Sequence, residues 1–274
     1  MVSIDTYNAC VDFPIFDAKS RSLKKAMMST AGGKIGKNDS NTVVVEALRD
    51  INLHLREGDR VGLVGHNGAG KSTLVKTIVG INKPASGSIA LGDARVGYVP
   101  QDLLTSASLT AFESVVASCG RGASRRVERS AEVLEELGIS HLAHRFISEL
   151  SGGQRQLVGV AQMLVRDPEL LLLDEPTSAL DIRHQIDLLQ LITDHVRSSE
   201  AVALVALHDL NLAARFCDQL IVLADGEVLD VGTPTDVLTP DTLMKVYGFR
   251  ARVMHDADDV PVVCPVAAKL GRVS

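Results

Sequence analysis

Apolar residues fall into short runs separated by Gly, Pro, Asn and Asp, and their spacing changes along the chain. Residues 1–16 read as a strand region that breaks at Pro14. Residues 43–45 are a β-branched run, and residues 51–55 alternate apolar with polar, which predicts strand. Arg60–Val64 is a short apolar strand ending at a glycine, and a helix follows over 71–79. A strand is predicted over 90–99, then helices over 108–119 and 125–137. The second of these carries Val127, Ala131, Val133, Leu134 and Leu137 near helical spacing. A further helix over 153–165 is closed by Asp167 and Pro168. The leucine run 170–173 is too short for a helix and predicts a strand buried on both faces. A helix over 182–197, a buried strand over 201–207 and a helix over Leu210–Phe216 follow. Residues 219–231 predict a hairpin turning at Asp225 and Gly226. Strand and helix alternate through the second half, which predicts an α/β fold with a parallel-sheet core.

Composition narrows the functional classes. With 274 residues, 46% hydrophobic and 23% charged, the chain suits one large α/β domain with an appended subdomain. The net charge of -6, the absence of Trp and only 3% aromatics argue against nucleic acid as a partner. Cys10, Cys119, Cys217 and Cys264 are scattered, so neither a disulfide framework nor a zinc site is expected. The N-terminus lacks the basic-then-apolar pattern of a signal peptide, and no stretch of 18 apolar residues exists. A reducing, cytoplasmic setting is the expectation. Residues 17–42 differ in kind: Lys19, Arg21, Lys24, Lys25, Lys34 and Lys37 lie among glycines and small polar residues. They predict a basic insertion, either a solvated loop or a surface that meets a membrane protein.

Candidate chemistry begins after the strand Arg60–Val64. Gly65, His66, Asn67, Gly68, Ala69, Gly70, Lys71 and Ser72 fit G-x-x-x-x-G-K-[ST] at every fixed position, with a strand before and a helix after. Glycines let the backbone wrap phosphates closely, and the helix N-terminus offers N–H groups to anionic oxygens. Lys71 would bridge the β- and γ-phosphates of a nucleoside triphosphate, and Ser72 would place its hydroxyl on Mg²⁺. Thr73 completes the nucleotide-binding run. The leucine strand ends in two carboxylates, Asp174 and Glu175, at the edge where open α/β sheets bind ligands. Asp174 is placed to hold Mg²⁺ through its water shell, and Glu175 to orient or deprotonate the attacking water.

Leu150, Ser151, Gly152, Gly153 and Gln154 then spell LSGGQ, a short way upstream of Asp174. This run resembles the signature of ATP-binding cassette (ABC) proteins. Gln101, after Tyr98, Val99 and Pro100, resembles their Q-loop; Ser178, Ala179, Leu180 and Asp181 resemble the D-loop; His208 resembles the switch histidine. Six motifs in order span roughly residues 43–235. The resemblance implies a P-loop NTPase cassette with a parallel-sheet core, a small antiparallel β-subdomain and an α-helical signature subdomain. It places the ATP-binding domain at 1–250, with the basic insertion at 17–42, the helical subdomain at 102–152 and a C-terminal tail at 251–274. It implies ATP and Mg²⁺ as ligands, with Ser72, Gln101 and Asp174 at the metal and Glu175, His208 and Gln101 at the reacting phosphate. It also implies two cassettes paired head to tail, so that Ser151, Gly152, Gly153 and Gln154 close on the partner copy's ATP. Adenine would stack on an early aromatic: Phe16 or Phe13, with Tyr7 further off. The tail beyond residue 254, with Asp256, Asp258 and Asp259, reads as surface decoration.

Two branches of the family are echoed. Residues 13–87 are similar to ATPases of polysaccharide and O-antigen exporters. Residues 96–263 are similar to importer ATPases for iron–siderophore, haem or cobalamin. Only thirty positions separate Lys71 from Gln101, fewer than the importer branch usually has. The segment 102–149, where the family's membrane subunit docks, lies in the importer-like part. The expectation is therefore a transport ATPase subunit on the cytoplasmic face of the cell membrane. It would serve an integral permease and, for an importer, a substrate-binding protein, most simply in uptake of a metal chelate. The alternatives are an exporter ATPase and a hybrid ATPase without a productive partner.

Overall fold

The computed structural model describes residues 2–14, 34–37, 43–103, 108–120 and 125–266. An antiparallel sheet takes the order β2-β3-β1-β5, from β1 (Ser3–Pro14), β2 (Lys34–Lys37), β3 (Val43–Arg56) and β5 (Ser86–Leu91). A second sheet takes the order β10-β9-β4-β8-β7-β6. Its strands are β4 (Arg60–Val64), β6 (Val96–Val99), β7 (Leu170–Asp174), β8 (Val202–Ala206), β9 (Gln219–Ala224) and β10 (Glu227–Gly232). Within it β9, β4, β8, β7 and β6 run parallel, and β10 returns antiparallel on β9.

All five residues of β7 are buried, and its leucines divide between two cores. Leu171 and Leu173 face one cluster with α4 (Gly152–Leu164), α5 (Ile182–Ser199) and α6 (Leu210–Phe216). Leu170 and Leu172 face the other, with Leu74, Val75 and Ile78 of α1 (Lys71–Ile78) and with β1 and β3. Period-2 alternation in a strand sandwiched between layers requires apolar residues at every position, which is why the run reads L-L-L-L. Each leucine so buried contributes about 1.5–3 kcal/mol.

Most expected elements are present within a residue or two. The strand expected over 90–99 is instead two strands: β5 ends at Leu91 in the antiparallel sheet, and β6 begins at Val96 in the parallel one. The Gly92–Asp93 turn carries the chain between sheets, so the compact segment before Gln101 still delivers an edge strand parallel to β7. The two runs at 43–45 and 51–55 belong to one 14-residue strand, kinked at Asp50, whose φ is +48°. The helical subdomain holds α2 (Ala111–Ser118) and α3 (Arg126–Glu136). Thr110 and Glu113 cap α2 with a reciprocal box.

The C-terminal region corrects the reading of decoration. After α7 (Pro234–Val237) and α8 (Pro240–Tyr247), β11 (Ala251–His255) and β12 (Pro261–Pro265) form a hairpin that packs on α6 and buries Val263. Arg215 of α6 forms ion pairs with Asp256 and Asp258. Val263 lies four residues after the last of Asp256, Asp258 and Asp259, and its core position is invisible until the hairpin pairs.

Candidate functional site

Four parallel strands end at one edge of the larger sheet, and each delivers an expected residue. β4 runs into the glycine-rich loop, β8 leads to His208, β7 ends at Asp174 and Glu175, and β6 leads through Pro100 to Gln101. The loop then turns into α1, whose N-cap Gly70 supplies no side-chain cap and whose first turn holds no acidic residue. The amides of that turn are left for an external anion. A Cβ on Gly65 would lie 2.3 Å from the Leu223 carbonyl oxygen, so only glycine lets the loop leave β4 against β9.

Lys71 is 4% exposed and folds back over this loop, donating to the Gly65 carbonyl at 2.8 Å and to the His66 carbonyl at 3.3 Å. Burial lowers its pKa, while Glu175 and Asp174 oppose that shift. Ser72 Oγ donates to Asp174 Oδ1 at 2.8 Å. Asp174 is fully buried, burial raises its pKa, and its Oδ2 has no hydrogen-bond partner. Thr73 is buried in the next position of the helix.

Glu175 adopts φ +55°, a left-handed conformation that turns its side chain out of the strand line. Its Oε2 accepts from Gln101 Nε2 at 2.9 Å, and its Oε1 pairs with His208 Nε2. The His208 hydrogen bond is the main cause of a lowered Glu175 pKa, against the upward pull of burial. Glu175 is therefore an ionised acceptor at neutral pH, within a cluster of Lys71, Ser72, Asp174, Gln101 and His208. All were singled out in the sequence, and the fold gathers them.

Ser151 to Gln154 and Asp181 are gathered elsewhere. Ser151 caps α4 in a reciprocal box with Gln154, which leaves the Gly152 and Gly153 amides with no acceptor inside the helix. A Cβ on Gly153 would lie 2.6 Å from the Ala179 carbonyl oxygen, so signature and D-loop pack on each other. Asp181 caps α5, accepting from the His184 amide at 3.0 Å and pairing with the His184 ring. Among the described residues, no hydrogen bond or ion pair joins Ser151, Gly152, Gly153, Gln154 or Asp181 to Lys71, Asp174 or Glu175; the D-loop meets Glu175 through Ser178, whose hydroxyl donates to the Glu175 carbonyl at 3.1 Å.

Phe16 lies outside the described residues. Phe13 pairs with Val45 and is partly buried against the core cluster that includes β1 and β3, whereas Tyr7 is exposed elsewhere on β1, edge-on to His54. Two contacts on the loop, and the environment of Tyr98, escape sequence reading. The Gly226 amide donates to the Ala69 carbonyl at 3.1 Å, holding the β9–β10 turn against the loop. Tyr247 of α8 is half-buried and hydrogen-bonds the backbone of Gly65, and burial pushes its phenol up to about 12. Tyr98 is likewise pushed up to about 12, chiefly by burial. The turn itself was legible as Asp-Gly, but its place beside the loop depends on β9 pairing with β4.

A divalent cation fits this edge. The unpartnered Asp174 Oδ2 and the Ser72 hydroxyl lie side by side, the hydroxyl a hard donor to the cation and the carboxylate oxygen an acceptor for its water shell. No group of three or more metal-ligating side chains occurs among the described residues. Mg²⁺ needs none, because it uses one or two protein oxygens together with phosphates and water.

The ABC transporter family model matches residues 48–178. A cobalamin import ATP-binding protein of Halobacterium salinarum is 38% identical over 228 residues, covering 76% of this chain and 57% of that protein. The chain thus spans a little over half the length of that relative. A hemin import ATP-binding protein of Bradyrhizobium diazoefficiens is 37% identical over 239 residues, covering 80% of this chain and 88% of its own length. A metal-chelate type ABC transporter in an inward-facing conformation shares the fold at TM-score 0.76 and 23% identity, covering 98% of this chain and 100% of that one. A dimeric ATP-binding cassette in a post-hydrolysis state bound to ADP and Pi matches at TM-score 0.69 and 26% identity, over 84% of this chain and 98% of that one. With the glycine-rich loop, paired carboxylates and LSGGQ helix all in place, the chain belongs to the ABC transporter family of ATP-binding proteins.

Proposed function

We propose that this chain is the ATP-hydrolysing subunit of an ABC importer, acting as a head-to-tail pair of copies beneath an integral permease. The carrying observation is Glu175, ionised and held by Gln101 and His208 next to the Asp174–Ser72 pair at the mouth of the Lys71 loop. ATP lays its phosphates along the loop amides, and Lys71 exchanges its two backbone carbonyls for β- and γ-phosphate oxygens. Ser72 and Asp174 would hold Mg²⁺, which when bound would supply positive charge against the charge developing on the transferred phosphoryl group. Glu175 accepts a proton from water as that water attacks the γ-phosphorus. The bond to the β-phosphate oxygen breaks, giving ADP and inorganic phosphate. His208 keeps the carboxylate aimed and contacts the γ-phosphate.

The separation of the signature group from the loop supports the paired form. Ser151 and the amides of Gly152 and Gly153 complete the site of the other copy. Gln101 joins the helical subdomain to Glu175, so permease contact there is felt at the base. Among the described residues no helix is long and apolar enough to cross a membrane, and the permease is proposed as a separate chain that holds this one at the cytoplasmic face. The importer names of the curated relatives support uptake of a metal chelate or corrinoid, delivered by a substrate-binding protein.

The test is Glu175→Gln measured beside the parent chain, with ATP binding, phosphate release and oligomeric state recorded together. Retained binding, lost turnover and an accumulating ATP-bound dimer are expected. Turnover at the parental rate rejects Glu175 as the base. Co-purification from native membranes in mild detergent addresses the partner: a multi-span permease with a binding protein is expected, and a polysaccharide-export permease would overturn the import assignment.

A further inference from the structure

Two buried polar atoms beside the phosphate loop lack hydrogen-bond partners: Asp174 Oδ2 and Tyr98 Oη. The sheet makes them neighbours. β6 and β7 are parallel, Tyr98 registers with Leu172, and Asp174 follows two residues later on the same face. Tyr98, Leu172 and Leu74 of α1 share one apolar cluster, so the Tyr98 ring is fixed by packing. Ser72 and Lys76, one turn apart on α1, close the other side: Ser72 bonds Asp174 Oδ1, and the Lys76 charge acts on the same carboxylate. Tyr98 itself feels the Asp174 charge.

A buried hydroxyl without a partner is unfavourable, and phenylalanine at position 98 would fill the same space without that cost. Two such atoms on one face, one a carboxylate oxygen and one a phenol, are satisfied together by a single water. We infer that Tyr98 is a positioning residue for the divalent cation: a cation-bound water donates one hydrogen to Asp174 Oδ2 and the other to Tyr98 Oη. The inference rests on the proposed reading of Asp174 as the cation's carboxylate. It adds an anchor from β6, the strand that leads directly to Gln101.

The experiment is equilibrium binding of a fluorescent non-hydrolysable ATP analogue at increasing Mg²⁺, with parallel titrations in EDTA. Tyr98→Phe keeps the ring and removes only the oxygen. Its Mg²⁺ midpoint is expected to rise about 5- to 10-fold, the effect of one ordinary hydrogen bond, with EDTA affinity unchanged. A purely structural role would move both measurements or neither. A parental midpoint in Tyr98→Phe overturns the inference and leaves the reading of Asp174 standing. Mg²⁺ enhancement that is absent in the parent chain, or intact in Asp174→Asn, overturns that reading and this inference with it.

Discussion

The side-chain amide of Asn211 is paired at both ends with the backbone of Val263: Oδ1 accepts the Val263 amide at 2.8 Å, and Nδ2 reaches its carbonyl at 3.5 Å. Asn211 lies in the first turn of α6, three residues after His208. The C-terminal hairpin is thereby bonded to the helix that begins just after His208, while Tyr247 just before the hairpin bonds the first glycine of the loop. One C-terminal unit thus touches both flanks of the nucleotide site. Asn211→Ala leaves the buried Val263 amide without its acceptor. The expected cost is about 1–3 kcal/mol of stability, with faster hydrogen exchange across β12. Exchange mass spectrometry checks this, and unchanged protection over 261–265 would refute it.

Lys71→Ala separates folding from ligand binding. The Lys71 ammonium is desolvated and bonded only to backbone carbonyls, so its contribution to the empty fold is small. Its attraction to phosphate is made only when nucleotide arrives. The expected result is a melting temperature within a few degrees of the parent and at least about a tenfold loss of nucleotide affinity, the size of one lost charge-assisted bond. Calorimetric titration together with a thermal scan measures both. Parental affinity would contradict the assignment of the loop.

How much of this was legible beforehand depended on whether the chemistry was local. The loop, the β7 carboxylates and the LSGGQ helix are contiguous, and each sits at a strand end or helix start that its own sequence specifies. Ser151 and Gln154 even cap each other across three residues. Tyr98, Tyr247 and Asn211 act through partners at 174, 65 and 263, across strand pairings and a hairpin that no local pattern announces. The strand expected over 90–99 fails for a different reason: Gly92 and Asp93 are turn-formers within it, a local signal that a single strand cannot span, and the sheet assignments on either side show the break there. The apolar side chains of 261–263 were masked by neighbouring aspartates, whose role is to bind Arg215.

Asp174→Asn is expected to stabilise the nucleotide-free protein. Burial raises the Asp174 pKa, so the folded state gives up this proton less readily than the unfolded chain does. For an acid shifted upward, stability falls as pH rises from its unfolded pKa of 3.8 through its folded value, and stays lower above it. At neutral pH the ionised carboxylate is therefore a burden, and its Oδ2 has no partner. Neutral asparagine can still accept from Ser72 and removes that burden. The gain should be on the order of 1 kcal/mol, as is common where a functional group is removed, with loss of Mg²⁺-dependent nucleotide binding. Chemical denaturation at pH 7 measures it, and a destabilised variant would argue against the burial account.

The adjacent carboxylate should behave in the opposite sense. His208 holds the Glu175 pKa below its ordinary value, so the folded state favours the ionised form. For an acid shifted downward, the stabilising contribution is fully present above the unfolded pKa of 4.5 and is lost as pH falls through the folded value. Glu175→Gln is therefore expected to be less stable than the parent at pH 7, with the gap closing as the pH drops below about 4.5. Unfolding curves for both chains across that range decide it. A gap that persists unchanged in acid would mean that the loss comes from packing of the amide, not from the His208 bond. Two neighbouring residues at one strand end, one costing stability and one adding it at neutral pH, are set apart by what each oxygen touches. Asp174 has a solitary hydroxyl and an open valence, where a cation fits. Glu175 has donors on both oxygens, and of these His208 keeps it charged for the proton it is proposed to take.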